Sequence, residues 1–314
     1  MPAPLYRNRL PQLANALFLT DGGLETTLVF QEHLDLPCFA AFPLLLNGRG
    51  TEVLRRYFVS YIDIARRERV GIVLETPTWR ANPDWAAKLG YDARALEDLN
   101  RLGVGLLLEL RTQFATAATP IVVSGNIGPR GDGYRPESRM SVAEAQAYHA
   151  EQIRVFADTD ADMVAAFTMN YPEEAIGIAL AARAARMPLA LSFTVETDGR
   201  LPTGDSLAHA IRRVEAESSC HPVYYMINCA HPVHFEHVIE ELGPLAARVR
   251  GLRANASRLS HAELDACTSL DSGNPAELGA QYAEIRTKLP ALRVVGGCCG
   301  TDHRHVAHIA RALA

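Results

Sequence analysis

The feature that most constrains this chain is the recurrence of one unit. From residue 17 onward, short apolar runs ending in polar or glycine residues alternate with longer amphipathic segments. The first run, 17–23, reads Leu-Phe-Leu-Thr-Asp-Gly-Gly and places Asp21 at its carboxyl end. Residues 51–68 carry Val53, Leu54, Tyr57, Phe58, Tyr61, Ile62 and Ala65 at helical spacing, and 70–76 form a second run ending in Glu75 and Thr76. Further helices are predicted over 92–118, 141–159, 173–186, 205–216, 233–242 and 274–288. Further strands are predicted over 120–126, 161–168 and 188–195, from 224 to Cys229, over 248–255, and from 294 to the Cys298-Cys299 pair. Residues 24–43 show few helix signals, and a last helix is expected to open at Thr301 as N-cap.

Eight continuous apolar runs separated by crossover helices require a parallel sheet covered on both faces. At 314 residues this predicts an α/β fold, a (β/α)8 TIM barrel forming a single domain over 1–314. The runner-up is an open doubly wound sheet. Gly125-Asn126-Ile127-Gly128 has the wrong spacing for a GxGxxG fingerprint, so a dinucleotide site is not expected.

A parallel barrel brings the carboxyl ends of all strands to one face. Asp21, Glu75, Thr76, Asn126, Thr168, Glu196, Asn228, Cys229, Asn255, Cys298 and Cys299 are therefore expected to converge there. Adjacent cysteines on an extended segment point apart, and a vicinal disulfide is strained. One reason for the pair is a shared soft cation, with Cys229 as the third ligand and an open fourth position, the arrangement of a reactive zinc site. Two other readings stand beside it: buried free thiols, and a disulfide from Cys229 to Cys298 or Cys299. Cys38, Cys220 and Cys267 have no comparable setting and read as spectators.

Composition narrows the function classes. With 48% hydrophobic and 21% charged residues the chain can bury a large core, and a net charge of −5 without a basic stripe argues against nucleic acid. Arg66-Arg67-Glu68-Arg69 reads as a solvated helix face. Pro11, Gln12 and Asn15 interrupt the early apolar stretch, so no signal peptide is expected, and no apolar run is long enough for a membrane span. A cytoplasmic, reducing compartment is the resulting expectation, where such cysteines bind metal or react. His231, His234 and His237, and likewise His303, His305 and His308, read as neutral surface histidines on helices rather than a metal tract. No feature selects an oligomeric state.

On Asp21-Gly22-Gly23 with Glu25-Thr26, Asn228-Cys229 and Gly296-Gly297-Cys298-Cys299-Gly300-Thr301, the chain resembles the zinc-dependent homocysteine S-methyltransferase family. Residues 124–129 and 191–194 support the likeness, and the motifs occur in the family's order across nearly the whole chain. The resemblance implies zinc held by Cys229, Cys298 and Cys299, a thiol acceptor, and an onium methyl donor such as S-methylmethionine or S-adenosylmethionine, with methionine as product. It also implies Asp21 near the acceptor's amino group. Asn228 is expected beside ligand or thiolate, and Glu75 and Trp79 could face the donor cation.

The chain departs from the family where substrates would lie. Phe167-Thr168 stands where relatives carry Glu-Thr, a carboxylate that helps bind the acceptor's amine. Glu75-Thr76-Pro77-Thr78-Trp79 replaces Asn-Thr-Tyr-Gln, and Asn255-Ala256-Ser257 replaces Pro-Asn-Ser/Ala-Gly. A demethylase or methyltransferase that uses the same zinc centre with a different methylated donor or thiol acceptor is the alternative enzyme reading. A non-catalytic thiol- or metal-binding barrel is the reading from another class.

Overall fold

The computed structural model describes residues 4–314. Its eight strands are β1 (Phe18–Leu19), β2 (Gly71–Glu75), β3 (Ile121–Ile127), β4 (Met163–Met169), β5 (Leu189–Phe193), β6 (Tyr224–Asn228), β7 (Val249–Ala254) and β8 (Val294–Gly297). They close into a barrel in sequence order, and β1 pairs in parallel with both β2 and β8. The predicted α/β barrel is the fold of this chain.

The helices are α1 (Leu24–Phe30), α2 (Gly48–Glu68), α3 (Pro83–Lys88), α4 (Ala93–Phe114), α5 (Val142–Ala157), α6 (Pro172–Ala184), α7 (Leu207–Ser218), α8 (Pro232–Phe235), α9 (His261–Ala266), α10 (Pro275–Lys288) and α11 (His303–Leu313). Polar side chains set many of their starts. Asn47, Asp92, Ser141, Ser206 and Asn274 each accept a backbone N–H in the first turn of the following helix. No helix among the described residues is long and apolar enough to cross a membrane.

Alternation along each strand divides the apolar side chains into two cores. Phe18, Val73, Val122, Met163, Tyr224 and Met226 fill the barrel interior. Leu19, Leu74, Val123, Val164, Ile227 and Leu252 face the helices. Each fully buried aliphatic or aromatic side chain stabilises the fold by about 1.5–3 kcal/mol relative to exposure. The N-terminal segment closes the amino-terminal mouth: Leu10 joins the interior core, and Arg7 donates to the carbonyls of Ala157, Thr159 and Ala161.

Several local expectations are corrected. The stretch after Asp21 forms a helix, α1, and the predicted helix over 233–242 is α8 followed by a 3-10 stretch, Glu236–Arg248. Gly243, at φ 51°, and Pro244 break that stretch, because neither sustains the α-helical ladder. The last helix is capped by Asp302, whose carboxylate accepts the Arg304 N–H, while the Thr301 hydroxyl donates to the Cys298 carbonyl at 2.7 Å.

Three histidines expected at the surface, His231, His234 and His305, are buried. His234 and His305 each place Nε2 against a backbone carbonyl, of Arg258 and Ser272. Burial also pushes His231 down to about 4, which keeps it neutral.

Candidate metal centre and substrate cavity

Cys229 immediately follows β6, and Cys298 and Cys299 follow β8. Although 69 positions separate Cys229 from Cys298, their Cα atoms lie 5.4 Å apart and their sulfurs are in bonding contact. The sulfurs of all three cysteines fall within 4.8 Å of one another, and Cys299 is unpaired. Of the two disulfides the sequence left open, Cys229 with Cys298 is the pair brought together. As thiolates, the three sulfurs match the soft, three-ligand donor set of a zinc site with one open position, so the residues present fit the ion. Cys38, Cys220 and Cys267 are exposed and outside the cluster, although Cys267 borders the cavity beside it.

The backbone around the cluster is shaped for it. Cys229 and Thr168 adopt left-handed conformations, φ 54° and φ 63°, which non-glycine residues rarely hold without support. Asn228 supplies that support. Its Nδ2 donates to Cys229 Sγ at 3.2 Å and to the Thr168 hydroxyl at 2.9 Å. Its Oδ1 accepts the Thr168 N–H at 3.0 Å and the Ser192 hydroxyl at 2.6 Å. One buried amide thereby ties together β4, β5 and β6. His261 adds a second brace, with Nε2 at 2.5 Å from the Cys229 carbonyl and its ring stacked on Tyr134. Burial pushes the Cys299 thiol up to about 11, so a cation is needed to make it a thiolate near neutral pH.

On the other side of the cluster, Asp21 is engaged by a residue that the sequence reading did not single out. Arg253, on β7, holds a guanidinium nitrogen 2.6 Å from Asp21 Oδ1 and donates to the carbonyls of Gly22 and Gly297, each at 3.0 Å. The Tyr57 hydroxyl donates to Asp21 Oδ2 at 3.0 Å. Burial works against the Arg253 charge, yet Asp21, Tyr57 and Glu75 more than offset it and hold the guanidinium protonated. The same guanidinium lies 5.0 Å from the ring centre of Phe167. An arginine inside an otherwise buried parallel strand was the available signal.

These groups open onto a cavity of about 430 Å³ at the carboxyl face of the barrel. Every residue expected to converge lines it except Glu196, which is placed against His261 Nδ1 instead. Glu75 is 4% exposed, and its Oε2 has no hydrogen-bond partner. Burial pushes Glu75 up to about 7, and it does the same to Glu25 at the start of α1. Trp79 lines the cavity too, but the Arg80 guanidinium sits 4.3 Å from its ring centre, so the chain's own cation already occupies that aromatic.

A closed eight-stranded barrel with three gathered sulfurs at its carboxyl rim defines a class: barrels whose thiols could hold a soft cation beside a small-molecule cavity. The model of the family described as homocysteine S-methyltransferase matches residues 18–313, and the chain belongs to that family. Membership supports a methyltransferase enzyme with small-molecule substrates. Among similar proteins, homocysteine S-methyltransferase of Escherichia coli (strain K12) is 27% identical, with 93% of each chain covered. Homocysteine S-methyltransferase 4 of Zea mays is 22% identical, over 96% of this chain and 90% of that one. The metallated form of the homocysteine methyltransferase MmuM from Escherichia coli superposes with a TM-score of 0.75 at 21% identity, covering 97% of this chain and 98% of that one, and shares the fold.

Proposed function

We propose that this chain is a zinc-dependent enzyme that transfers a methyl group from an onium donor, S-methylmethionine or S-adenosylmethionine, to the thiol of homocysteine, forming methionine. The observation that carries the reading is the approach of Cys229, Cys298 and Cys299 to within 4.8 Å of one another beside a cavity. These three residues would hold the ion. Zinc held there would supply acidification of the acceptor thiol, which is otherwise only a few per cent ionised at pH 7.

The remaining work falls to the protein. Asn228 fixes the Cys229 sulfur and the Thr168 backbone, so the donor set is preorganised before substrate arrives. Asp21, Arg253 and the carbonyls of Gly22 and Gly297 lock the β1 turn to the cysteine loop. The cavity walls, including Phe167 and Trp79, exclude water and align the two substrates. The acceptor sulfur forms a bond to the methyl carbon as the bond from that carbon to the donor's onium atom breaks, and the donor departs neutral. No general acid is therefore required at the leaving group. The acceptor's thiol proton passes to solvent.

One observation favours a second reading. Phe167 packs under Arg253 where the family carries a glutamate, so the substrate walls differ while the sulfur cluster is kept. Transfer to a different thiol, or from another methylated nitrogen or sulfur compound, uses the same centre. A matrix of methyl donors against thiol acceptors, read by mass spectrometry on the zinc-loaded protein, separates the two. Methionine as the dominant product supports the first reading; a strong preference for another pair supports the second.

A further inference from the structure

Resting on the methyl-transfer reading, we propose that Glu75, with Asn126, binds the ammonium group of the acceptor and so supplies the recognition that Phe167 cannot. Asp21 is already charge-paired with Arg253 at 2.6 Å, although its Oδ1 makes no hydrogen bond, and its Oδ2 accepts the Tyr57 hydroxyl at 3.0 Å; strand β4 presents an aromatic ring. The Asp21 charge is thus offset within the chain, whereas Glu75 and Glu25 line the cavity outside any ion pair, and of the two only Glu75 has a fully buried carboxylate oxygen without a partner.

Glu75 is 4% exposed, lines the cavity, and leaves Oε2 without a partner. A buried carboxylate oxygen with no donor is costly and calls for a cation or a hydrogen bond. Asn126 also lines the cavity, and its buried Oδ1 is likewise without a partner. The two lie on neighbouring strands, since Glu75 is in register with Ser124 and Asn126 is the next inward position on β3. An ammonium offers three N–H donors and no acceptor, which matches a pair of unpartnered acceptor oxygens of which one belongs to a carboxylate.

Depth assigns this subsite to the acceptor. Glu75 is the inward residue directly above Val73, which belongs to the barrel interior; its strand stands opposite β6, which leads into Cys229, and two strands from β8, which leads into Cys298 and Cys299. The acceptor must reach those sulfurs and so occupies the bottom of the cavity. The donor comes to rest above it.

Calorimetric titration of the zinc-loaded protein with L-homocysteine and with 4-mercaptobutanoate, the same skeleton without the amine, tests the assignment. Wild type is expected to bind homocysteine about tenfold or more tightly, the scale of a charged hydrogen bond. In Glu75→Gln that preference is expected to collapse to about twofold, with 4-mercaptobutanoate little changed. Asn126→Ala gives an independent, smaller loss for homocysteine alone, and far-ultraviolet circular dichroism checks folding of both. An undiminished preference in Glu75→Gln, or equal binding of the two thiols by wild type, overturns the proposal. Methyl transfer assayed on the same wild-type sample keeps the two ideas apart. Transfer with an unaltered preference removes only the role of Glu75, whereas a collapsed preference without transfer supports the subsite and removes the methyl-transfer reading.

Discussion

Arg253 and Asp21 form a buried ion pair at 2.6 Å, linking the end of β7 to the turn after β1. Both side chains are almost wholly enclosed, and the Arg253 nitrogens also satisfy the carbonyls of Gly22 and Gly297. Removing one partner strands the other. Arg253→Met is therefore expected to destabilise the protein by about 3–5 kcal/mol, and Asp21→Asn/Arg253→Met by less than that single change. Urea unfolding followed by circular dichroism measures both. A loss below about 1 kcal/mol in Arg253→Met contradicts a structural role for the pair.

Asn228 touches three strands and the Cys229 sulfur, so its truncation tests preorganisation of the donor set. Asn228→Ala is expected to weaken zinc binding about 10–100-fold, the range for partners that orient metal ligands. Competition against a chromophoric chelator gives the affinity. Unchanged affinity means the hydrogen bond at 3.2 Å does not matter to the sulfur it reaches.

Glu75 gives the protein a pH signature in its stability. Its folded pKa, about 7, lies above the ordinary carboxylate value of 4.5 because burial disfavours the charge. The folded state thus holds this proton more tightly than the unfolded chain does. The resulting stabilisation is present below about pH 4.5 and is lost as pH rises toward 7. A shift of this size corresponds to roughly 3 kcal/mol. Glu75→Gln, which cannot ionise, is expected to melt higher than wild type at pH 8 and at nearly the same temperature near pH 5. Parallel melting curves across that range contradict an unpaired buried carboxylate.

Zinc retention is expected to depend on reduced thiols, because Cys229 and Cys298 have Cα atoms 5.4 Å apart, within disulfide range. Treating the loaded protein with diamide is expected to release the zinc and protect Cys229 and Cys298 from alkylation. Cys299 keeps a free thiol, which alkylates fully once the protein is denatured. Peptide mapping with metal analysis reads both outcomes, and full zinc retention after diamide runs against three-thiolate ligation.

The barrel was legible because its signal is repeated eight times, so errors at single boundaries left the topology intact. The positions of Cys229, Cys298 and Cys299 followed from that topology and from adjacent thiols at a strand end. Arg253 did not, since a period-two reading of 248–255 shows arginines at both faces and cannot tell which one crosses to Asp21. Trp79 illustrates the same limit: its neighbour Arg80 covers the ring, a rotamer-level fact with no signature in spacing. His231, His234 and His305 were misplaced because helical spacing gives a face but not what packs on it. The left-handed backbone at Thr168 and Cys229 is imposed by the Asn228 network, which only the closed barrel assembles.

The most direct test of the account is zinc content and methyl transfer in Cys298→Ser, with folding confirmed by circular dichroism. Wild type is predicted to hold one zinc per chain and to convert homocysteine to methionine with an onium donor, and the variant to stay folded while losing both. A folded Cys298→Ser protein as active as wild type, with every donor and acceptor supplied, contradicts it.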